Sequence, residues 1–167
     1  MTTLDAALFV EAVRKSEVGW LRVADAREQP VWWVWHDEAL ALVTGGQEQP
    51  DPGLVDGGTV VVIARSKDKG ARLVSATCRV ASLPPGSDDY QAMATALHGK
   101  RLNSPDGVAA PDRWRRESVL WRLSPGGDVV EAPGAMSADS HSREPTPTSA
   151  TTRGKAPLVI GRRPRRR

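Results

Sequence analysis

Between Gln29 and Gly46 the chain reads QPVWWVWHDEALALVTGG, and no other stretch limits the possible folds as much. It carries three of the six tryptophans within four positions. Read with period two, Val31, Trp33 and Trp35 face one way and Trp32, Val34 and His36 the other, the pattern of a strand covered on both sides. Asp37-Glu38 makes a polar break before a second apolar run of strand length, Ala39 to Thr44. The stretch is therefore a β-hairpin whose far end opens at Gly45-Gly46. Indole rings bury about 150–250 Å² each, so this hairpin reads as core before it reads as a ligand platform.

The flanking segments keep the same character. Leu4 to Ser16 reads as a short amphipathic helix with Leu4, Leu8 and Ala12 on one face and Ala7 beside it. Gly19 opens a strand that runs to about Asp25. After Gly46, QEQPDPGLVDGG excludes any long regular element. Thr59 to Arg65 (TVVVIAR) has five consecutive apolar residues, four of them β-branched, and suits a strand buried on both faces. A charged turn, Ser66 to Gly70, leads into a long alternating strand, Ala71 to Leu83. Pro84-Pro85-Gly86 stops it, and Ser87 with Asp88-Asp89 starts a helix in which Tyr90, Met93, Ala94 and Leu97 share a face. A polar loop follows, and Trp114 starts the last segment, a strand in which Val119, Trp121 and Leu123 alternate with Ser118, Leu120 and Arg122 and which is expected to end at Ser124-Pro125-Gly126-Gly127. Six short strands with two helices predict a mainly β, α+β fold: a six-stranded antiparallel barrel, since closure removes exposed edges. A doubly wound sheet is disfavoured because strand-helix-strand alternation does not recur.

Charge divides the chain in two. Residues 134–167 hold eight Lys/Arg against two Asp/Glu, a balance of +6, and residues 1–133 hold fifteen against eighteen, or −3, which together give the net +3. The expected organisation is a barrel domain over residues 1–130 and a disordered Ser/Thr/Pro-rich tail over 131–167. Five arginines in the last six residues could hold nucleic acid by neutralising phosphates, without sequence preference. A solubilising extension is the plainer reading of the same tail. The single cysteine, Cys78, excludes an intramolecular disulfide and a Cys-based zinc site. No signal-peptide pattern and no apolar run of membrane-spanning length is present, so a soluble, cytoplasmic protein without membrane contact is expected. No Ser-His-Asp, metal or phosphate-loop signature stands out, and no catalytic residue can be assigned. His36 reads as an exposed turn residue and His98 as one favoured at a helix C-terminus.

Order and spacing together resemble the FMN-binding split barrel of the pyridoxamine 5′-phosphate oxidase-like superfamily, in its actinobacterial branch, over about residues 4–125. The residues that carry the resemblance are Gly19-Trp20-Leu21, Pro30 to Trp35, Leu40 to Thr44, Arg65-Ser66-Lys67, Gly70 to Val74 and Arg113-Trp114. The resemblance implies a homodimer with FMN, or a related deazaflavin, in a groove between subunits, and a flavin-dependent oxidoreductase acting on a small molecule. It places Trp32, Trp33 and Val34 along the ring and Thr44, Gly45 and Gly46 at the phosphate. The chain departs from the family where a serine and a base usually follow the threonine. Gln47, Glu48 and Asp51 stand there instead, and an acid beside a phosphate is unfavourable by roughly 1 kcal/mol even in high dielectric. Either Arg65, Lys67 or Arg72 supplies the missing charge, or the cofactor has been lost. The alternative function is a cofactor-free split-barrel dimer acting as a binding or accessory protein, with polyanion contact through the Arg-rich tail.

Overall fold

The structure, a computed structural model, describes residues 3–139, 142 and 144. Extended segments dominate it: β1 (Val18–Arg22), β2 (Gln29–Trp32), β3 (Val34–His36), β4 (Ala39–Thr44), β5 (Thr59–Arg65), β6 (Arg72–Ser82) and β7 (Val119–Glu131). The helices are α1 (Thr3–Lys15), α2 (Asp88–Lys100) and α3 (Ala110–Glu117), the last preceded by a 3-10 turn at Gly107–Ala109. The strands pair antiparallel in one sheet, in the order β2-β1-β5-β6-β7-β4-β3.

That order explains why six expected strands become seven. The tryptophan strand is broken at Trp33, so β2 and β3 are the two outermost members of the sheet although one residue separates them in sequence. A single segment thus forms both margins, and the sheet curls into a half-closed, split barrel joined through the backbone. At the break, the Trp33 N–H turns away from the β3–β4 ladder and donates to Glu17 O at 3.0 Å. The side chain of Gln49 takes over beside it. Its Oε1 accepts from Trp32 N at 2.8 Å, and its Nε2 donates to Trp32 O at 2.9 Å and to Val43 O at 3.1 Å. The β3–β4 register pairs Val34 with Ala41, so this carboxamide sits where the next rung, Trp32 with Val43, would fall. These bonds use both N–H donors and one acceptor site of the carboxamide.

The sheet separates two apolar clusters. Inside the barrel lie Leu21, Val31, Trp33, Leu40, Leu42 and Val62 among others, capped by Phe9, Ala12 and Val13 of α1. On the outer face, Val34, Ala41, Val43 and Leu120 meet Tyr90, Met93, Ala94 and Leu97 of α2 and Trp114 of α3. Strand β4 is buried at all six positions and serves both, its leucines pointing inward and its alanines and Val43 outward. Small outward residues let α2 approach closely. Ser87 caps α2 by accepting from Tyr90 N at 3.1 Å.

Three local expectations are corrected. The buried face of α1 is Phe9, Ala12 and Val13 with Leu8 packed beside them; Ala12 and Leu8 fall as expected, while Ala7 is exposed and Leu4 is 78% exposed. Helix α3 replaces the end of the expected polar loop and the start of the strand segment expected from Trp114, which begins only at Val119; Pro111 at its start, Asp112 in its first turn and Arg115 and Arg116 in its last suit a short helix. The last strand does not stop at Pro125-Gly126-Gly127 but passes through it to Glu131. The β6–β7 pairing jumps from Cys78↔Pro125 to Ala76↔Val129, a bulge that accommodates the proline. A Cβ on Gly127 would stand 2.6 Å from Thr77 O, which is why glycine is needed there.

Residues up to Ser137 make one compact unit, and 138–167 make a second. Of that second unit only 138, 139, 142 and 144 are described, so the tail and its terminal arginines lie outside the described residues. Among the described residues no helix is long and apolar enough to cross a membrane.

Candidate functional site

The split leaves a cavity of about 210 Å³ on the outer side of the seam. Trp32, Trp33 and Val34 supply one wall, and Glu17 and Val18 continue it at the start of β1. Facing them are Lys100, Arg101 and Leu102 at the end of α2. The walls are chiefly apolar, with charge confined to Glu17, Lys100 and Arg101.

Alternation along the tryptophan strand fixes how each wall residue takes part. Trp33 points into the barrel, is fully buried and donates from Nε1 to Val13 O at 3.1 Å, so it contributes only the floor. Its ring also accounts for Gly19, where an added Cβ would collide with it and lie 2.6 Å from Ile63 O. Val34 is 7% exposed and packs in the outer cluster. Trp32, half-buried on the outer face, offers its indole to the cavity, with the Arg101 guanidinium 5.8 Å from the ring centroid.

Arg101 is held from behind. Its Nε donates to Glu48 Oε2 at 2.9 Å, and Nη1 donates to Leu102 O. The Glu48 side chain is only 1% exposed, and its other oxygen accepts from Arg113 Nη2 at 2.8 Å and Trp114 Nε1 at 3.0 Å. Arg113, 5% exposed, is paired on its other side with Asp106. Burial alone would raise the pKa of Glu48, but donors from Trp114, Arg113 and Arg101 outweigh it and hold the carboxyl below its ordinary value. The acid that looked misplaced in a phosphate loop is thus neutralised inside the chain, by Arg101 and Arg113.

The other expected site residues lie apart from this cavity. Thr44 is buried, and its hydroxyl accepts from Trp121 Nε1 at 2.9 Å. Gly45 donates its N–H to Gln49 O at 3.0 Å and accepts at its O from Ser118 Oγ at 3.2 Å. Gly46 adopts φ +59°, and a Cβ there would meet Glu117 O at 3.0 Å. This turn is folded onto Glu117-Ser118, and its glycines are explained by that contact. Arg65 ends β5 with a buried Nε that has no partner among the described residues, Lys67 is exposed on the β5–β6 turn, and neither lines the cavity. Arg72 pairs with Glu131 at 3.2 Å.

His98 donates from Nε2 to Gly107 O at 2.9 Å and packs edge-on to Trp114, 6.5 Å between centroids, which fixes the loop after α2. Burial pushes the Cys78 thiol up to about 12, so it is a core group and no nucleophile. Lys100 and Arg101 were not expected at the site, and Glu48 was expected beside a phosphate, not behind Arg101. A signal for the first two exists in the sequence: Leu97 is on the buried face of α2, and residues three and four further on continue that face toward Trp32. Glu48 carries no such signal, because only the tertiary fold brings it to residues 53 and 65 positions away.

No family model matches the chain and no curated relative matches it. Among solved structures, it is similar to HutZ, the heme storage protein from Vibrio cholerae, at 14% identity over 74% of this chain and 91% of that one, with a TM-score of 0.49. It is also similar to an FAD-binding protein from Mesorhizobium loti, at 16% identity over 72% and 87% of the two chains, with a TM-score of 0.42. At these scores the description of the fold rests on the strand pairing of this chain itself.

Proposed function

We propose that this chain is a split-barrel protein of the pyridoxamine 5′-phosphate oxidase-like kind that holds FMN, or a related deazaflavin, against Trp32 at the seam, in a site completed by a second copy of the chain. The observation that carries the reading is the seam cavity: the break at Trp33 turns one indole into the barrel and leaves its neighbour half-exposed on an apolar wall. Its volume of about 210 Å³ is below the roughly 300–1,000 Å³ of sites that enclose drug-sized ligands. One chain therefore houses part of a flavin, and the reading requires a wall from a partner. The ring-side residues fit a planar aromatic group. The turn at Thr44, Gly45 and Gly46 does not fit a phosphate in the same way, since its hydroxyl, one N–H and one carbonyl are already engaged.

A bound flavin would supply electron or hydride transfer, making the protein a flavin-dependent oxidoreductase. The chain itself would orient the ring on Trp32, exclude water with Val18, Val34 and Leu102, and set the charge at the rim through Lys100 and Arg101. The test is a titration of purified protein with FMN and with a deazaflavin, following tryptophan fluorescence, with size-exclusion chromatography alongside. Saturable quenching, largely lost in Trp32→Leu, and elution as a dimer are expected. Colourless protein whose fluorescence ignores both ligands would overturn the reading.

A second reading, a cofactor-free split-barrel dimer serving as a binding or accessory protein, is favoured by one observation. The closed Thr44–Gly46 turn and the internally neutralised Glu48 remove both the space and the free charge of a phosphate cradle. The same titration separates the two.

A further inference from the structure

We propose that Arg101 is the residue that selects the ligand of the seam cavity, by taking an oxyanion carried on a planar ring, so that phosphorylated or carboxylated aromatic ligands are preferred to neutral ones. The inference rests on the reading that a planar ring occupies the cavity. It goes beyond that reading by assigning the anionic end to the close of α2 instead of Thr44, Gly45, Gly46, Arg65 or Lys67.

Three observations carry it. Arg101 lines the cavity with its guanidinium over the Trp32 ring, 5.8 Å from the centroid, so a ligand that packs on this aromatic wall meets the Nη2 donor. Its orientation is fixed before any ligand arrives: Nε is spent on Glu48 and Nη1 on Leu102 O, and neither bond uses Nη2. Glu48 is fixed in turn by Arg113 and Trp114, both buried. An arginine held this way loses little side-chain freedom on binding, and a planar guanidinium is the group best matched to carboxylate or phosphate oxygens.

The neighbouring charges fit the same assignment. Lys100 pairs with Glu17 at 3.3 Å, and both side chains are 60% exposed. An exposed pair of this kind is weak, so Lys100 can turn from Glu17 to a ligand oxyanion at little cost. Glu17 also lines the cavity and opposes an anion, which leaves two cations against one acid among the lining residues. Glu48 lies behind the guanidinium, where it orients Arg101 without reaching the cavity.

FMN and riboflavin share a ring and differ in the phosphate, and they form the diagnostic pair. In the full chain, tryptophan quenching is expected to give FMN an affinity roughly tenfold or more above that of riboflavin, the size one or two charge-assisted hydrogen bonds support. Added salt should weaken FMN and leave riboflavin nearly unchanged. Arg101→Gln should bring the two ligands to similar affinity by weakening FMN alone, and Arg101→Lys should restore part of the preference. Glu48→Gln keeps the guanidinium but loosens its hold, and should reduce the preference partway even if Arg101→Gln does not fold. Equal binding of both ligands by the unaltered chain overturns the assignment of Arg101 while leaving the flavin reading intact. Full preference retained in both Arg101→Lys and Glu48→Gln overturns it as well. No binding of either ligand overturns both.

Discussion

The barrel interior and the layer outside it are built on different physics. Around Trp33 the interior is chiefly apolar, and the indole N–H groups of Trp33 and Trp121 go to neutral acceptors, a helix carbonyl and the Thr44 hydroxyl. Around Trp114 the outer layer holds a fully buried indole too, but its N–H is given to a carboxylate that also binds two arginines. The first kind of core depends on fit. The second depends on every charge keeping its partner, because desolvated ions are costly when left alone. The difference teaches why neighbouring tryptophans of one strand have unlike roles: Trp33 fills space, and Trp32 borders a cavity whose shape and charge the outer network sets.

Substitutions can break or sharpen this contrast. Trp33→Ala should have the largest effect, destabilising the fold by about 3–5 kcal/mol because a large buried ring is removed where β1, β3 and α1 converge. Trp32→Ala, read in the same urea titration, should cost about 1 kcal/mol, in keeping with its half-exposed position. Comparable losses for the two would erase the distinction drawn between them.

The outer network has a pH signature that the interior lacks. Glu48→Ala should cost about 3 kcal/mol at neutral pH, the lower end for a broken buried pair, since Asp106 still serves Arg113. The folded pKa of Glu48 lies below its unfolded value, so its contribution is complete above the ordinary glutamate pKa of about 4.3 and is lost as pH falls through the depressed folded value. The stability difference between the unaltered chain and Glu48→Gln should therefore shrink below about pH 4. A difference that stays constant as the pH is lowered past that point would show that the carboxylate is not what ties the layer together.

Gln49 tests the junction between the two regions. Gln49→Ala removes three hydrogen bonds at the split and should cost about 1–2 kcal/mol. Hydrogen exchange should quicken first at the N–H of Trp32, the one backbone donor that Gln49 satisfies there. Unchanged protection at Trp32 would mean that the seam is held by other contacts.

Much of this architecture is legible from the amino acids, for reasons that differ by element. The faces of the tryptophan strand follow from strict alternation, and Val31 and Trp33 go inward while Val34 goes outward as expected. The buried set of α2, Tyr90, Met93, Ala94 and Leu97, follows from helical spacing. The Asp37-Glu38 break becomes a two-residue turn with φ +46° and +54°, joining His36 to Ala39 as a hairpin of this length requires. The division of that strand at Trp33 is not legible, because it depends on a glutamine sixteen positions later folding back to replace a rung. Helix α3 is obscured by its composition: APDRWRRE has one large apolar residue, so apolar periodicity has nothing to register. At the site, the aromatic wall is visible in the sequence and the charges are not. Lys100 and Arg101 look like ordinary helix-terminal bases, and Glu48 looks like a loop acid, until folding sets them beside one another.

The place of Trp33 also bears on the sequence of events during synthesis. Its indole N–H reaches Val13, twenty residues earlier, and its ring lies over Gly19, so two of its chief partners have left the ribosome before it does. Short loops close at small entropic cost, whereas the β4–β7 pairing must wait for a strand some eighty residues further along. The opening third of the polypeptide therefore contains contacts that can close over short stretches of chain, whereas the far side of the barrel depends on its most distant strand.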